Sequence, residues 1–493
     1  MDFRTGSLAT GCVLLGLTLL LACVPSDHST GSATLAAAGG DPSTALPTAV
    51  RACPGDGARD IGDIDGDGIP DPVVETYGAN GGGPAYLDIH NSTAAQQVIG
   101  GADVGMQGVA SLGGVTLVVD VNRDGCADVL TFGNDAMYAI PGSVEGLVPA
   151  AVKRLGPPEG EGNWGSSMAV LKDLRLLVVG APEATASPHR GGAVYLYPLA
   201  DDGTPGKPTV LHQDSPGVPG NSEKGDWFGE YLAADGNLLA IGAAGETNSG
   251  RRGSGAVTLL KFTGVGRAFN AVRWTQDSPG FETRAETWDA FGSRLAVRGN
   301  YVAMGVPNEA IGRADGAGIV HVVELAGGAG LKVKKVHNFH QGSAGIPDEN
   351  ETNDHWGAAL ALGANIGCTP MTVVIGAHGE KLGKSPSGSV TLVGLGKRCA
   401  SRWLPDVTFG VPFRYFGRQI VTLSSSAGAS APDVVLVGDA FSRAIGDVVL
   451  ETGNVIAVRT VGEGKWMADP VLPRDGYHAY SNYGQGLGVT GHG

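Results

Sequence analysis

Two short stretches carry residues that could bind a metal ion. They are Asp63-Ile-Asp-Gly-Asp-Gly-Ile-Pro-Asp71 and Asp120-Val-Asn-Arg-Asp-Gly-Cys-Ala-Asp128, and each reads D-x-[DN]-x-D-G-x-x-D. A hard cation such as Ca²⁺ takes about six to eight oxygen ligands at about 2.3–2.6 Å, which alternate residues of a curled loop can supply. The predicted ligands are four side chains and one carbonyl per loop: Asp63, Asp65, Asp67, Ile69 and Asp71; Asp120, Asn122, Asp124, Cys126 and Asp128.

These two stretches predict two calcium sites, with the carbonyl contributed by Ile69 in the first and Cys126 in the second. The alternative interpretation of each stretch is an acidic turn that binds no metal. Gly68 and Gly125 stand where the backbone must turn sharply. Apolar, β-branched residues follow each stretch, so each loop is expected to lead into a strand rather than a helix.

The composition is typical of an all-β protein with many tight turns. Glycine accounts for 81 of 493 residues, more than double its usual share of about 7%, and 42% of the residues are hydrophobic. The formal net charge of −15 argues against nucleic acid or an anionic membrane surface as the main partner. The same charge suits a surface that binds cations.

The N-terminus predicts export. Arg4 precedes an apolar run over residues 13–22, which is short for a membrane span. Residues 20–23 resemble the bacterial lipobox, whose cysteine, here Cys23, is lipidated after cleavage. We therefore expect a signal peptide over 1–23, a flexible linker over 24–52 and a folded domain over 53–493. The product would be a cell-surface lipoprotein, touching the membrane only through that lipid, or a freely secreted protein.

The cysteines suit an oxidising destination. Of six cysteines, Cys12 leaves with the signal and Cys23 is the lipidation candidate. The other four allow three pairings. The preferred one joins Cys53 to Cys126, tying the start of the domain to the second acidic stretch, and Cys368 to Cys399, closing a loop within one repeat.

A repeat runs along the chain. An aromatic or apolar residue followed by glycine recurs at intervals of 60 to 67 residues, at Val104, Trp164, Phe228, Phe291, Trp356, Phe416 and Tyr483. An apolar run ending in glycine, such as 178–180, follows most of these pairs, and then a glycine-led apolar run, such as 192–196. Short β-branched runs at this period predict four-stranded propeller blades, with the aromatic residues in the core.

Two of these repeats resemble a known family. Trp164-Gly with Gly180-Ala-Pro, and Phe291-Gly with Gly305-Val-Pro, are similar to the FG-GAP repeat of integrin α-subunit propellers and of many secreted bacterial proteins. The resemblance covers roughly residues 54–490. It implies a seven-bladed β-propeller with calcium in the loop that joins the first two strands of a blade.

Closure of the ring follows from the order of the repeats. The first blade begins directly with its acidic stretch, without a preceding aromatic-glycine pair, whereas residues 483–487 form an extra pair at the C-terminus. We therefore predict an all-β fold: a seven-bladed propeller of four-stranded antiparallel blades, closed by the C-terminal strand joining blade 1. Closure of this kind leaves no open sheet edge.

Two sets of loops are expected to lie side by side at one rim. Loops after the second strand of each blade carry cations, and loops before each aromatic-glycine pair carry anions and aromatic residues. The predicted ligand rim contains Arg251, Arg252, Arg313, Trp288 and Trp356. Such a rim could hold an extracellular protein or a glycan. The alternative is that these are ordinary solvated loops.

The function expected from these features is a non-catalytic, extracellular calcium-binding module for binding or adhesion. The competing hypothesis is a secreted hydrolase or lyase that acts on a glycan or lipid through the propeller funnel. The sequence contains no H-E-x-x-H, G-x-S-x-G or phosphate-binding motif, and no catalytic residue is assigned. Fold alone does not decide between the two, since propellers serve many functions.

Overall fold

The computed structural model describes residue 53 and most of residues 62–490. The gaps within 62–490 are residues 79–82, 90–95, 108–110, 135, 160, 162, 264–267, 329, 367–369, 383–384, 397–399, 404–412, 415, 424–432, 439–440, 443–454, 463–464, 472–485 and 488. The chain separates into two units, 1–48 and 49–493, and all described residues belong to the second. The predicted signal peptide and linker, Cys23, Cys368, Cys399 and Tyr483 lie outside the described residues.

The regular structure of the described residues consists almost entirely of β-strands. The strands of the first half are β1 (Val73–Gly78), β2 (Gly83–Ile89), β3 (Gln97–Gly100), β4 (Leu112–Val119), β5 (Asp128–Gly133), β6 (Met137–Ile140), β7 (Lys153–Leu155), β8 (Ser167–Leu171), β9 (Leu176–Ala181), β10 (Ala193–Pro198), β11 (Thr209–Leu211), β12 (Tyr231–Asp235), β13 (Leu238–Ala243), β14 (Ala256–Phe262) and β15 (Phe269–Trp274). Short 3-10 helices lie at Gly101–Val104, Pro149–Ala151, Lys172–Leu174 and Pro188–Arg190.

The strands of the second half follow the same order. They are β16 (Arg294–Arg298), β17 (Tyr301–Val306), β18 (Ile319–Leu325), β19 (Val333–Phe339), β20 (Ala359–Ala364), β21 (Met371–Ala377), β22 (Lys381–Leu382), β23 (Ser385–Pro386), β24 (Ser389–Gly394), β25 (Ala400–Trp403), β26 (Phe413–Arg414), β27 (Gln419–Leu423), β28 (Val434–Gly438), β29 (Phe441–Ser442), β30 (Val455–Gly462), β31 (Lys465–Val471), β32 (Gly486–Leu487) and β33 (Val489–Thr490). No helix in the described part of the chain has the length and apolar character needed to cross a membrane.

Among the described residues the strands form six four-stranded sheets, one five-stranded sheet and two two-stranded ribbons. The larger sheets, numbered along the chain, have the orders β3-β2-β1-β32 (sheet 1), β33-β4-β5-β6-β7 (sheet 2), β11-β10-β9-β8 (sheet 3), β12-β13-β14-β15 (sheet 4), β16-β17-β18-β19 (sheet 5), β20-β21-β24-β25 (sheet 6) and β27-β28-β30-β31 (sheet 7). Apart from the parallel pair of β33 and β4, neighbouring strands are antiparallel. The chain is therefore all-β, with several four-stranded antiparallel sheets, which is consistent with a β-propeller.

Successive sheets pack face to face, so their middle strands are buried on both sides. All six residues of β9 and of β13 are buried, which explains why these strands are continuous apolar runs instead of alternating ones. First strands contact one another from sheet to sheet, in the order β4, β8, β12, β16, β20 and β27. A cavity of about 160 Å³ lies among them, and its lining consists of residues 117, 119, 168–170, 232–234, 295–297, 360–362 and 420–422.

The aromatic-glycine pairs join neighbouring sheets. Phe228 N–H donates to Gly191 O at 2.9 Å, across the junction between sheets 3 and 4. The carbonyl of Gly229 comes so close to Gly180 that a Cβ at Gly180 would lie 1.9 Å from the oxygen, and Gly229 itself has φ +91°, so both positions need glycine. The prediction of core aromatic residues is confirmed for four pairs, whose side chains are fully buried: Phe228, Phe291, Trp356 and Phe416. Trp164 is only half-buried and packs against the edge of a core cluster.

Candidate metal centre

The first acidic loop, residues 63–71, lies directly before β1 and is shaped by its own carboxylates. Asp63 Oδ1 accepts a hydrogen bond from Gly66 N–H at 2.6 Å, and Asp63 Oδ2 accepts one from Gly68 N–H at 2.7 Å. Asp71 Oδ2 accepts another from the N–H at loop position 2, also at 2.7 Å. The loop therefore curls around the carboxylate at position 1, and its two left-handed turns, at φ +76° and +89°, are glycines.

The second acidic loop, residues 120–128, joins β4 to β5 and repeats this arrangement. Asp120 Oδ1 accepts from Arg123 N–H at 2.5 Å, and Asp120 Oδ2 accepts from Gly125 N–H at 3.1 Å. Asp128 Oδ2 accepts from the N–H at position 2 at 2.9 Å. The left-handed turn at position 4 is made here by a non-glycine residue, Arg123, at φ +61°. Two loops of the same pattern thus have the same hydrogen bonds.

Three carboxylates converge in the first acidic loop. Oxygen atoms of Asp63, Asp65 and Asp71 lie within 4.8 Å of one another, although Asp65 and Asp71 are buried. Burial raises the pKa of Asp63, and the charges of Asp67 and Asp65 raise it further. The backbone N–H groups that donate to this carboxylate lower its pKa. Carboxylates this close are unfavourable unless a proton or a cation lies among them. The donor set contains only oxygen, which suits a hard cation.

The second acidic loop carries one charge fewer. Asn122 Oδ1 accepts from Asp124 N–H at 2.9 Å, and Asn122 Nδ2 donates to Asp124 Oδ2 at 3.0 Å. Burial raises the pKa of Asp128 to about 8, and the charges of Asp120 and Asp124 add to this effect. The residues present therefore offer oxygen ligands here as well, with an amide oxygen in place of one carboxylate.

The two acidic loops are joined to each other. Ala127 N–H of the second loop donates to Asp63 O of the first at 2.7 Å. A disulfide joins Cys53 to Cys126, which confirms this predicted pair. Cys53 also packs against the first loop, because a Cβ at Gly66 would lie 2.4 Å from the Cys53 Cβ. The disulfide therefore contacts both loops at once.

Most residues of the predicted ligand rim lie on exposed loops. The Arg251 guanidinium lies 3.4 Å from the Asp277 carboxylate, and the Arg252 guanidinium lies 5.1 Å from the centre of the Trp288 ring. Trp288 is 48% exposed, and Arg313 is exposed as well.

Trp356 does not belong to this rim, and its prediction as a rim residue is wrong. Its side chain is completely buried, and its indole N–H donates to Thr391 Oγ1 at 3.3 Å. The reason is its place in the repeat: Trp356 is the aromatic residue of an aromatic-glycine pair, and such residues fill the space between two sheets.

Three sheet junctions bury a set of polar residues that the sequence analysis did not identify. In each set a Gln side-chain N–H donates to a Glu carboxylate, at 2.5, 2.6 and 2.8 Å in turn. An Asp carboxylate in the same set accepts a backbone N–H from the Glu of an E-x-x-D turn. The sets are Gln213, Glu246 and Asp226 between sheets 3 and 4, Gln276, Glu309 and Asp289 between sheets 4 and 5, and Gln341, Glu380 and Asp354 between sheets 5 and 6.

Burial makes these junction carboxyls hard to ionise. It raises the pKa of Asp226 to about 7, those of Asp289 and Asp354 to about 6, and that of Glu309 to about 8. Burial raises the pKa of Glu246 as well, but the Arg273 guanidinium, 3.0 Å from its carboxylate, opposes this effect. The available signal was a second repeat, Gln-Asp-Ser-Pro-Gly at 213–217 and 276–280, varied to Gln-Gly-Ser-Ala-Gly at 341–345.

Comparison with known proteins adds little to this description. No family model matches the chain, and no curated protein matches it. A solved structure from a structural and mechanistic analysis of two prolyl endopeptidases is similar at 11% identity and a TM-score of 0.43, over 85% of this chain and 52% of that chain. The chain thus spans about half the length of that protein. A likeness at this TM-score supports no conclusion about activity.

Proposed function

We propose that the chain is an exported, calcium-binding β-propeller that acts as a non-catalytic binding or adhesion module at the cell surface. The observation that carries the proposal is the pair of acidic loops, which share one sequence pattern and one set of hydrogen bonds. The first loop leads into β1, which lies next to β32 in sheet 1. The second loop leads into β5, which lies next to β4 in sheet 2.

The proposed architecture is a closed ring of seven blades of the FG-GAP type. Seven larger sheets are present among the described residues, and the first strands of sheets 2 to 7 contact one another in sequence. β32 pairs with β1, matching Leu487 to Val74, and it contacts both β4 and β27. In this proposal the C-terminal strand therefore completes blade 1 and joins the last blade to the first.

Deleting residues 478–493 tests the closure. Removal of β32 and β33 would leave β1 and β4 with unpaired edges and would remove the contacts that β32 and β33 make with β27, so we expect a much lower melting temperature and a less cooperative transition. Calorimetric melts of the full and the shortened chain provide the measurement. An unchanged melt would count against the ring.

Calcium is the proposed ligand of both acidic loops. In the first loop the ion would be held by the side chains of Asp63, Asp65, Asp67 and Asp71 and the carbonyl of Ile69. In the second it would be held by Asp120, Asn122, Asp124 and Asp128 and the carbonyl of Cys126. Bound calcium would supply positive charge among carboxylates that burial otherwise makes unfavourable to ionise.

Export is proposed on the lipobox-like residues 20–23 and on the cysteine pair. The Cys53–Cys126 disulfide is compatible with an oxidising compartment. In this proposal Cys23 carries the lipid, and residues 24–52 tether the propeller to the surface. A freely secreted form is the alternative.

The proposed partner is an extracellular protein or glycan that binds the rim formed by Arg251, Arg252, Arg313 and Trp288. Exposed loops on a rigid sheet scaffold are where such binding usually occurs. The described lining of the cavity among the first strands is apolar except for Thr422.

Calorimetric titration of calcium into EDTA-treated protein tests the metal proposal. We expect two sites for the unaltered chain and one site each for Asp67→Ala and Asp124→Ala, which remove the same ligand from the first and the second loop, with exposed Glu159→Ala as the matched control. Bound calcium should also raise stability by about 2.7 kcal/mol per site at a hundredfold excess over Kd. Absence of any binding heat would refute the calcium sites. Protein and glycan arrays, probed with and without EDTA, test the binding role.

A further inference from the structure

A buried disulfide lies between the two acidic loops. Cys53 is 6% exposed, and its partner Cys126 is completely buried. Cys126 stands at position 7 of the second loop, where its carbonyl is a proposed calcium ligand, and its N–H donates to Asp124 Oδ1 at 2.9 Å. The cross-link is therefore attached to a residue that positions two of the proposed ligand oxygens.

The other half of the disulfide packs against the first loop. A Cβ at Gly66 would lie 2.4 Å from Cys53 Cβ and 2.5 Å from Cys53 Sγ. Cys53 Sγ also lies 3.9 Å from Ile64 O. These contacts are made at positions 2 and 4 of the loop, which alternate with the proposed ligands at positions 1, 3 and 5. Cys53 thus supports the backbone that carries those carboxylates.

Two further contacts join the loops. Ala127 N–H of the second loop donates to Asp63 O of the first at 2.7 Å. Gly142 packs on both loops, because a Cβ there would lie 2.3 Å from Ala127 O and 2.8 Å from Ile64 O. Gly142 N–H also donates to Asp128 Oδ1 at 3.1 Å. A displacement of either loop would therefore disturb the proposed ligands of the other.

The first loop has a reason to open when it holds no cation. Oxygen atoms of Asp63, Asp65 and Asp71 lie within 4.8 Å of one another, and like charges at this distance repel. The disulfide opposes such opening by fixing Cys53, and with it the second loop, against the first loop. Calcium would oppose it from inside each loop by drawing the oxygens together. The disulfide and calcium thus favour the same closed conformation of the loops.

Two agents that favour one conformation strengthen each other. We propose that the Cys53–Cys126 disulfide and the two acidic loops form a redox-sensitive calcium switch, in which reduction of the disulfide weakens calcium binding at both loops and bound calcium protects the disulfide from reduction. In the redox step a dithiol reductant gives two electrons and two protons: the S–S bond breaks, two cysteine thiols form, and the dithiol becomes a disulfide. This inference rests on the proposed calcium sites and concerns their regulation.

Redox titration of the unaltered chain tests the switch. The protein is equilibrated with mixtures of reduced and oxidised dithiothreitol, in saturating calcium or in EDTA, and the thiols of Cys53 and Cys126 are then alkylated and measured by mass spectrometry. If reduction weakens each site about tenfold, calcium should shift the equilibrium towards the disulfide about a hundredfold, which is the product of the two effects. Far-ultraviolet circular dichroism of the reduced protein should stay unchanged.

Variants of the loops assign the shift to each site. Asp67→Ala and Asp124→Ala each lack one proposed site, so each should keep a calcium-dependent shift of only about tenfold. The two changes together should remove the shift. Exposed Glu159→Ala is the matched control and should keep the full shift.

Calorimetric titration of the double variant Cys53→Ser, Cys126→Ser gives the reciprocal value. At a temperature where this variant is folded, both sites should bind calcium about tenfold more weakly than in the oxidised protein. Equal affinity in the two proteins, or a redox equilibrium that calcium does not change, would overturn the switch and leave the calcium sites standing. Unfolding of the reduced protein would also overturn it, because the whole fold would then need the disulfide. Absence of calcium binding to the oxidised protein would overturn the proposed function as well.

Discussion

The acidic loops and the sheet junctions both bury carboxyl groups, but they surround them differently. In the loops the carboxylates of Asp63 and Asp120 each accept several backbone N–H groups from one tight turn. At the junctions a Glu carboxylate accepts one side-chain N–H from a Gln, and an Asp with a raised pKa belongs to the same set.

The difference decides what can neutralise each group. A curled loop directs several oxygens towards one point, which is an arrangement that a divalent cation can fill. At the junction of Glu309 and Asp289 the charge of Asp289 adds to burial in raising the pKa of Glu309, and a proton suffices to neutralise Glu309. We therefore expect the loops to respond to calcium and the junction of Glu309 and Asp289 to respond to pH.

The largest expected effect comes from the disulfide that contacts both acidic loops. The double variant Cys53→Ser, Cys126→Ser should lose about 4 kcal/mol of unfolding free energy, because the cross-link closes a loop of 73 residues in the unfolded chain. Urea unfolding in calcium measures the loss. The pH dependence of stability that the junctions cause should be the same in this variant as in the unaltered chain. A change in that pH dependence would show that the loops and the junctions do not act independently.

The two acidic loops differ in the residue at their fourth position, where the backbone is left-handed in both. Gly66→Ala should destabilise by about 3 kcal/mol, because its Cβ would clash with Cys53 and the backbone is left-handed. Arg123→Gly at the same position of the second loop should stabilise by about 0.5–1 kcal/mol by relieving its positive φ. Thermal melts of both variants check the opposite signs. A loss of stability in both would show that Arg123 has a structural role of its own.

The junction carboxyls should make stability depend on pH. Burial raises the pKa of Glu309 from 4.5 to about 8, so the folded state binds this proton more tightly than the unfolded state. The contribution to stability is complete below pH 4.5 and is lost as the pH rises towards 8. The groups that surround Glu309 are Asp289, Gln276, Glu286 and Thr283.

Glu309→Gln should therefore flatten the pH profile and stabilise the protein by about 2 kcal/mol above pH 8. Glu246→Gln is the matched variant at the preceding junction. It should destabilise by a similar amount, because Arg273 would lose its buried partner. Urea unfolding between pH 5 and 9 gives both values, and stabilisation by Glu246→Gln would contradict this account.

The smallest expected effect concerns the charge of the second acidic loop. Asn122→Asp would give it the same four carboxylates as the first loop, so its calcium affinity should rise by about tenfold. Calorimetric titration of the variant against the unaltered chain measures the change. A weaker site would indicate that the Asn122 amide, through its bond to Asp124, is needed to shape the loop.

The sequence predicted the elements whose causes are local. The D-x-[DN]-x-D-G-x-x-D pattern identified two loops whose hydrogen bonds prove to be the same, and the 60–67-residue period predicted four-stranded sheets. Both predictions depend on turn residues and short strand patterns, which can be recognised within a few residues of sequence. Of the three pairings that the sequence allowed, the preferred one included Cys53 with Cys126, and these two residues form the disulfide.

Tertiary structure decided which side chains meet. Trp288 and Trp356 both lie in or beside an aromatic-glycine turn, but one is half exposed and the other is buried between two sheets. Gln213 and Glu246 come from different sheets, so their contact depends on how the sheets pack. Turn patterns specify backbone conformation locally, whereas burial and pairing depend on residues that are distant in the chain, and only the packed sheets bring them together.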